Sequence, residues 1–292
     1  MIEKYFLKKF IKLFAGKIGR RLGSILWSFC EPILYHILPD IVYVHGSKML
    51  KNRSILFPLL LMASQKYESD TVELFKQVIK EGMVVVDVGA SFGFYTLLAS
   101  KLVGKSGRVY AFEPDPRNFY LLTENVRLNQ YTNVTCVKKA ILDKPRFIKL
   151  FLSTKGPLTS TVFPGYKVHN AINIEATSLD IFFKDINYVP IHVIKMDIEG
   201  AEMLAILGAE EVLKRNRDLK IFIEFYPEGI RRSGFTPETF FNKLLAHGFK
   251  IYVINGLKKQ IDQLELTKML NIRKKEWCIN LFLERPSSMK QD

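Results

Sequence analysis

Two acids and two glycines at fixed spacing set out the first chemistry in this sequence. Met83 to Thr96 reads MVVVDVGASFGFYT: an apolar run closing on Asp87, glycines at 89 and 93, then the helical pattern YTLLASKLVG. A short run of apolar β-formers bounded by turn residues predicts a buried parallel strand. Gly89 and Gly93 permit a tight turn, and the helix that follows presents free N–H groups at its start, a place for an anionic ligand group. Asp87, at the strand's end, is placed to meet a cationic group. The next strand, GRVYAFEPD, brings Glu113 to 20 residues past Gly93, where an acid on the second strand grips ribose hydroxyls.

A ligand with an amine, a carboxylate and a ribose satisfies all of this, and S-adenosylmethionine carries the three. A nicotinamide dinucleotide has the ribose, but its pyrophosphate is usually held over G-x-G-x-x-G, whereas here the pattern is D-x-G-x-x-x-G. A glycine turn alone would also serve a ligand-free α/β connection. The register of Asp87 with Glu113 is what argues for a ligand.

A second constellation lies in IHVIKMDIEGAEMLAILGAEEVL, residues 191–213. Lys195 and Asp197 share a face by period-two alternation. A lysine in a buried strand is costly unless paired, so Asp197 or a ligand is its expected partner. Asp197 also ends a central strand, on the rim where open α/β sheets bind ligands. The competing account is that Asp197 is a helix N-cap, with Glu199 and Glu202 favoured by the helix dipole. That explains the acids and leaves Lys195 unexplained. Glu224, near the end of LKIFIEFYP, lines the same rim or balances a basic neighbour. The histidines have no metal-ligand spacing, and His169 is the one placed to reach a substrate.

The elements that must position these residues alternate from Met83 onward. Strands are predicted over 83–88, 108–113, 133–142, 190–197, 219–225, 249–254 and 277–284, with helices over 94–104, 116–129, 200–215 and 237–247. This predicts an α/β fold with a doubly wound, mostly parallel sheet. The last two strands lack an intervening helix, so one is expected antiparallel at the edge. Residues 145–182 break the alternation and read as extra strands and loops beside the pocket. Upstream, SDTVELFKQVIKEG is a helix that Ser69 or Asp70 would cap and Gly82 would end.

At 292 residues the chain can hold one large domain with an extension. Its net charge of +14 suggests an acidic partner, and ten Lys or Arg against three acids fall within residues 1–53. We therefore divide the chain into a basic helical extension, 1–64, and a catalytic domain, 65–292. Within residues 1–22, Phe6, Phe10, Phe14, Ile18 and Leu22 form an apolar stripe flanked by lysines. The stripe suits either an interfacial helix on an anionic bilayer or packing on the protein's own core. The run from Leu22 to Leu38 is interrupted by Glu31, Pro32 and His36, which favours peripheral attachment over a membrane span or signal anchor. Three well-separated cysteines fit a reducing cytoplasm, with attachment at the inner face of the membrane.

VVVDVGASFGFYTLLAS (84–100), GRVYAFEPDPRN (107–118), NVRLN (125–129) and VIKMDIEGAE (193–202) resemble the FkbM family of S-adenosylmethionine-dependent methyltransferases. YES (67–69) and IEFYPEG (223–229) agree with it, and the similarity covers roughly residues 65–255. The resemblance implies a class I methyltransferase fold and O-methylation of sugars on glycolipids or polysaccharides, or of related natural products. By position it implies that Asp87, Gly89, Ala90 and Gly93 hold the methionine end of the cofactor and that Glu113, beside Pro114, holds the ribose. Asp197 and Glu199 would act beside the methyl group with support from Lys195, as a base or by holding a divalent cation. A glycosyltransferase using Asp197 and Glu199 for metal and nucleotide sugar is the alternative enzyme, and a cofactor-free membrane-docking scaffold the non-enzymatic one. A nucleic-acid substrate is disfavoured, because Asp-Ile-Glu-Gly stands where base methylases commonly carry an Asn/Asp-Pro-Pro-aromatic loop.

Overall fold

The computed structural model describes residues 29–152, 160–163, 170–260, 268–269 and 277–286. The stripe over 1–22, the start of the 22–38 run and His169 lie outside the described residues.

Helix α1 runs through residues 29–37 and is followed by a hairpin of β1 (Ile41–Val44) and β2 (Ser47–Leu50). The apolar run at 56–63 forms α2 (Leu56–Ala63), then comes α3 (Ser69–Val78). Val44, Met49, Ile55, Leu59 and Met62 are buried in one cluster with Val85 and Val109 of the sheet. Neither Ser69 nor Asp70 caps α3. Glu68 takes the cap position in a left-handed conformation, and Asp70 accepts from the Gly256 N–H at 2.7 Å. The helix stops at Val78, before Gly82, because Ile79 turns extended and buries its side chain.

From there strands β3 (Val84–Val88), β4 (Arg108–Phe112) and β5 (Val134–Val137) alternate with α4 (Phe94–Val103) and α5 (Pro116–Leu128). The expected strand over 133–142 is two strands. Lys139 turns back on the Val137 carbonyl, and β6 (Ala140–Ile141) leaves for a second sheet. That sheet adds β7 (Arg146–Leu152), β8 (Ser160–Thr161) and β9 (Asn170–Thr177), in the order β6-β9-β7-β8, and accounts for the insertion. After α6 (Leu179–Asp185), strand β10 (Val193–Met196) returns to the main sheet.

The expected helix over 200–215 is likewise two, α7 (Glu202–Leu207) and α8 (Glu210–Arg215). Gly208 lies so close to the second sheet that a Cβ there would stand 2.1 Å from the Leu142 carbonyl oxygen. Asp180 then caps the new start by accepting from the N–H groups of Glu211 and Val212. Next come β11 (Lys220–Phe225), α9 (Pro227–Arg232), α10 (Pro237–Ala246), β12 (Lys250–Asn255), β13 (Leu257–Gln260) and β14 (Ile279–Glu284).

The main sheet runs β13-β12-β14-β11-β10-β3-β4-β5. β14 is antiparallel as expected but lies inside the sheet, between β11 and β12, and β13 takes the edge. Leu281, Phe282 and Leu283 alternate between the sheet's two faces and are all buried, which an edge position would not allow. β3 and β10 are parallel neighbours from which the chain winds outward in opposite directions, so a ligand crevice opens at their carboxyl ends.

Candidate functional site

The apolar stretch Val84–Val88 is buried between helices, and it carries Asp87 into the sheet opposite Lys195 of β10. Thr96, one turn into α4, donates to Asp87 Oδ2 at 2.5 Å. Burial pushes the Asp87 carboxyl up to about 6, although Thr96 and the Lys195 ammonium both pull it down. The N–H groups of Gly89 and Ala90 are taken by the Phe112 carbonyl at 2.9 Å, which ties the turn to the end of β4. Gly93 begins α4 with φ of 100°, and a Cβ there would stand 3.0 Å from Leu122, so its service is to bring α4 onto α5.

Glu113 follows β4 and is buried. Its two oxygens accept from the Ser91 and Asp115 N–H groups, each at 2.8 Å. Burial, with a smaller push from Asp115 and Asp87, raises its carboxyl to about 8. Glu113 and Pro114 line a cleft of about 290 Å³ that also meets Gly89, Ser91, Asp197 and Glu199. Pro58 and Met62 of α2 form one wall, and Leu150 and Thr161 of the second sheet form another. A smaller chamber of about 60 Å³ adjoins it at Tyr67, Gly89 and Asp197 and reaches Asp87, Ala90 and Lys195.

Asp197 does not cap a helix. Ala201 holds that position for α7, and Glu202 ties the preceding turn by accepting from the N–H groups of Ile198 (3.0 Å) and Gly200 (3.3 Å). Asp197 is instead paired with Lys195, whose Nζ lies 3.3 Å from Oδ2. Lys195 is 1% exposed, beside Asp87 and 5.0 Å from the centre of the Tyr95 ring. Burial alone would lower its ammonium, but Asp197, Glu68, Glu224 and Asp87 together lift it above the usual lysine range.

The rest of the turn is acidic. Glu199 has φ of 57°, and burial, then Asp197 and Glu202, push its carboxyl up to about 7. Glu224 on β11 is raised to about 9 by burial and by Asp197, Glu199 and Glu202, with Cys278 hydrogen-bonded to it. These residues are drawn together only by the crossing of β3, β10, β11 and β14. Glu68 and Tyr95 belong to the same cluster, with Tyr95 Oη donating to Glu68 Oε2 at 2.7 Å and Asn280 donating to it at 3.0 Å. Sequence reasoning assigned neither Tyr95 nor Asn280 a role, and the YES triplet at 67–69 was the one signal for Glu68. A divalent cation at Asp197 and Glu199 is not supported: among the described residues no three His, Cys, Asp or Glu are grouped to hold one.

The sequence profile of the methyltransferase FkbM domain matches residues 87–251, which take in the cleft acids Glu113, Asp197 and Glu199. The chain belongs to the FkbM methyltransferase family. The cofactor of that family is S-adenosylmethionine, and the donor set fits it. Buried Asp87 in β3 could meet an ammonium and buried Glu113 after β4 could meet paired hydroxyls, and the cleft volume stands near the lower end of ligand pockets, about 300–1,000 Å³. Two similar proteins are protein-L-isoaspartate O-methyltransferases. That of Methanothrix thermoacetophila is 34% identical over 59 residues, covering 20% of this chain and 28% of that protein. That of Methanococcus maripaludis is 23% identical over 154 residues, covering 42% of this chain and 73% of that protein. The chain therefore spans well under two thirds of the first relative's length. An O-methyltransferase from Thermotoga maritima superposes with a TM-score of 0.43 at 11% identity, over 87% of this chain and 80% of that one.

Proposed function

We propose that this FkbM-family protein transfers the methyl group of S-adenosylmethionine to a hydroxyl on a sugar of a glycolipid, polysaccharide or related natural product. The observation that carries this reading is the pair Asp197 and Glu199 on the cleft wall, one held by Lys195 and the other not. Bound cofactor supplies a methyl group on a sulfonium, already a good leaving group. The chain must then align a weak nucleophile and take its proton. Lys195 fixes one oxygen of Asp197 at 3.3 Å, which makes Asp197 an orienting acceptor for the hydroxyl. Glu199 titrates near 7 and takes the proton, since a base with a pKa close to the working pH combines availability with driving force. Glu113 receives the ribose hydroxyls, and Ile141, Leu150 and Thr161 keep that wall of the cleft largely apolar.

Charge favours a neutral acceptor. The chain is basic overall, yet no Lys or Arg is among the described residues that line the cleft, so a phosphate-rich or carboxylate acceptor would find no counter-charge there. This argues against nucleic acid and against the isoaspartyl carboxylate named for the archaeal relatives. The glycosyltransferase alternative leaves Asp87 and the β3–α4 turn without a task.

Calorimetric titration with S-adenosylmethionine, against a nicotinamide cofactor and a nucleotide sugar, tests the cofactor. Transfer of labelled methyl to neutral glycans and glycolipids, beside RNA and isoaspartyl peptide, tests the acceptor. Label on RNA or peptide but not on glycans would overturn the sugar hydroxyl, and binding of a nucleotide sugar alone would restore the alternative.

A further inference from the structure

Helix α1 stands at the surface and is largely apolar, with Glu31 and His36 as its polar interruptions. One side, Leu34 with Cys30 and Leu38, packs on Leu56 and Leu60 of α2. The other presents Phe29, Ile33 and Ile37, spaced at four residues and 71%, 63% and 67% exposed. An exposed stripe of large apolar side chains of this kind marks an interaction surface. The rest of the helix is prepared to stay in place. Glu31 is neutralised by Arg53 at 2.8 Å, and Lys51 donates to the carbonyls of Tyr35 and Leu38 at the helix's end.

The charge around the stripe selects its partner. Residues 1–28, which lead directly into α1, carry seven Lys or Arg against one acid, Glu3. Apolar side chains beside a polybasic segment match an anionic lipid surface, where the acyl boundary takes the former and the headgroups attract the latter. No helix among the described residues is long and apolar enough to cross a membrane.

We propose that the Phe29–Ile33–Ile37 face of α1 docks the protein peripherally on an anionic lipid bilayer. The position of α2 gives this docking a consequence for the cleft. Leu56 and Leu60 hold α1, while Pro58 and Met62, on the opposite side of the same short helix, line the cleft. The cleft is thereby held one helix away from the bilayer, where the sugar of a lipid-anchored acceptor sits. That last step rests on the sugar-hydroxyl reading, whereas the docking does not.

The test is sedimentation of the full chain with vesicles of phosphatidylcholine, with and without phosphatidylglycerol. Wild type should partition to the anionic vesicles and be released as salt rises. The double variant Ile33→Glu, Ile37→Glu should partition at least about tenfold more weakly, because each inserted isoleucine contributes on the order of tenfold. Leu245→Glu, an exposed apolar position on α10, should partition like wild type. Unchanged binding of S-adenosylmethionine by the double variant shows that the fold is kept and separates this test from that of the enzyme class. Equal partitioning of double variant and wild type overturns the proposal. So does a wild type that ignores anionic vesicles, including one that sediments as a dimer which the double variant dissociates, since that assigns the stripe to a second copy of the chain.

Discussion

A Cβ on Gly89 would stand 2.0 Å from the carbonyl oxygen of Asp197. The two residues end neighbouring parallel strands, and their backbones touch where the cofactor turn meets the acidic turn. Gly89 also has φ of 83°, so a side chain there is strained twice over. Gly89→Ala should cost about 1–3 kcal/mol from the backbone alone, more with the clash, and lower the melting temperature by several degrees. It should also weaken S-adenosylmethionine binding. Thermal unfolding and calorimetry check both, and wild-type values in each would mean the two turns are free to separate.

Glu113→Gln keeps the shape of a carboxyl already held by two backbone N–H groups, but replaces one accepting oxygen by a donor. An amide cannot accept from all the donors at once. Cofactor affinity should fall by about 2- to 10-fold, the range for one net hydrogen bond. Turnover at saturating cofactor should change much less. Equal affinity in calorimetry would remove Glu113 from the ribose.

The acid cluster sets a pH dependence of stability. Burial raises Asp87 to about 6, Glu199 and Glu202 to about 7, Glu113 to about 8 and Glu224 to about 9. Unfolded, such groups titrate near about 4. Between these limits the folded chain holds more protons than the unfolded one, so stability is fully present below about 4 and is lost as pH rises toward 9. The half-buried histidines, His45 and His247, are pushed below their usual range by partial burial and act only in acid. Ligand-free protein should therefore melt several degrees lower near pH 9 than near about pH 6, and Glu224→Gln should flatten the slope. A melting temperature that climbs over this range would show the acids to be charged in the folded state.

Asp197→Asn and Glu199→Gln should separate orientation from proton transfer. Loss of a general base costs about 10²–10⁴ in rate, which we expect for Glu199→Gln with cofactor binding retained. Its log rate should also lose the rise through pH 7 that the base imposes. Asp197→Asn should slow turnover and raise KM for the acceptor, because the ion pair with Lys195 that fixes the side chain is lost. If only the Asp197 variant loses the pH rise, the two roles are exchanged.

The sequence by itself determined the doubly wound sheet and the rim carrying Asp87, Glu113 and Asp197, because period-two apolar runs and glycine turns are local signals. It also made Lys195 and Asp197 partners, since a buried lysine needs a counter-charge two residues away on the same face. Only the tertiary structure decided what those acids do not do. Asp197 was a plausible helix cap until Ala201 was found at that position, with Glu202 holding the turn. The break at Gly208 and the interior place of β14 depend on contacts with Leu142 and Phe222, remote in sequence and invisible to local pattern. The same holds for Glu68, Tyr95 and Asn280. Glu68 and Tyr95 reach Lys195, and Asn280 reaches Glu68, only because the strands bring distant segments together, and a period along one segment cannot report a neighbour on another.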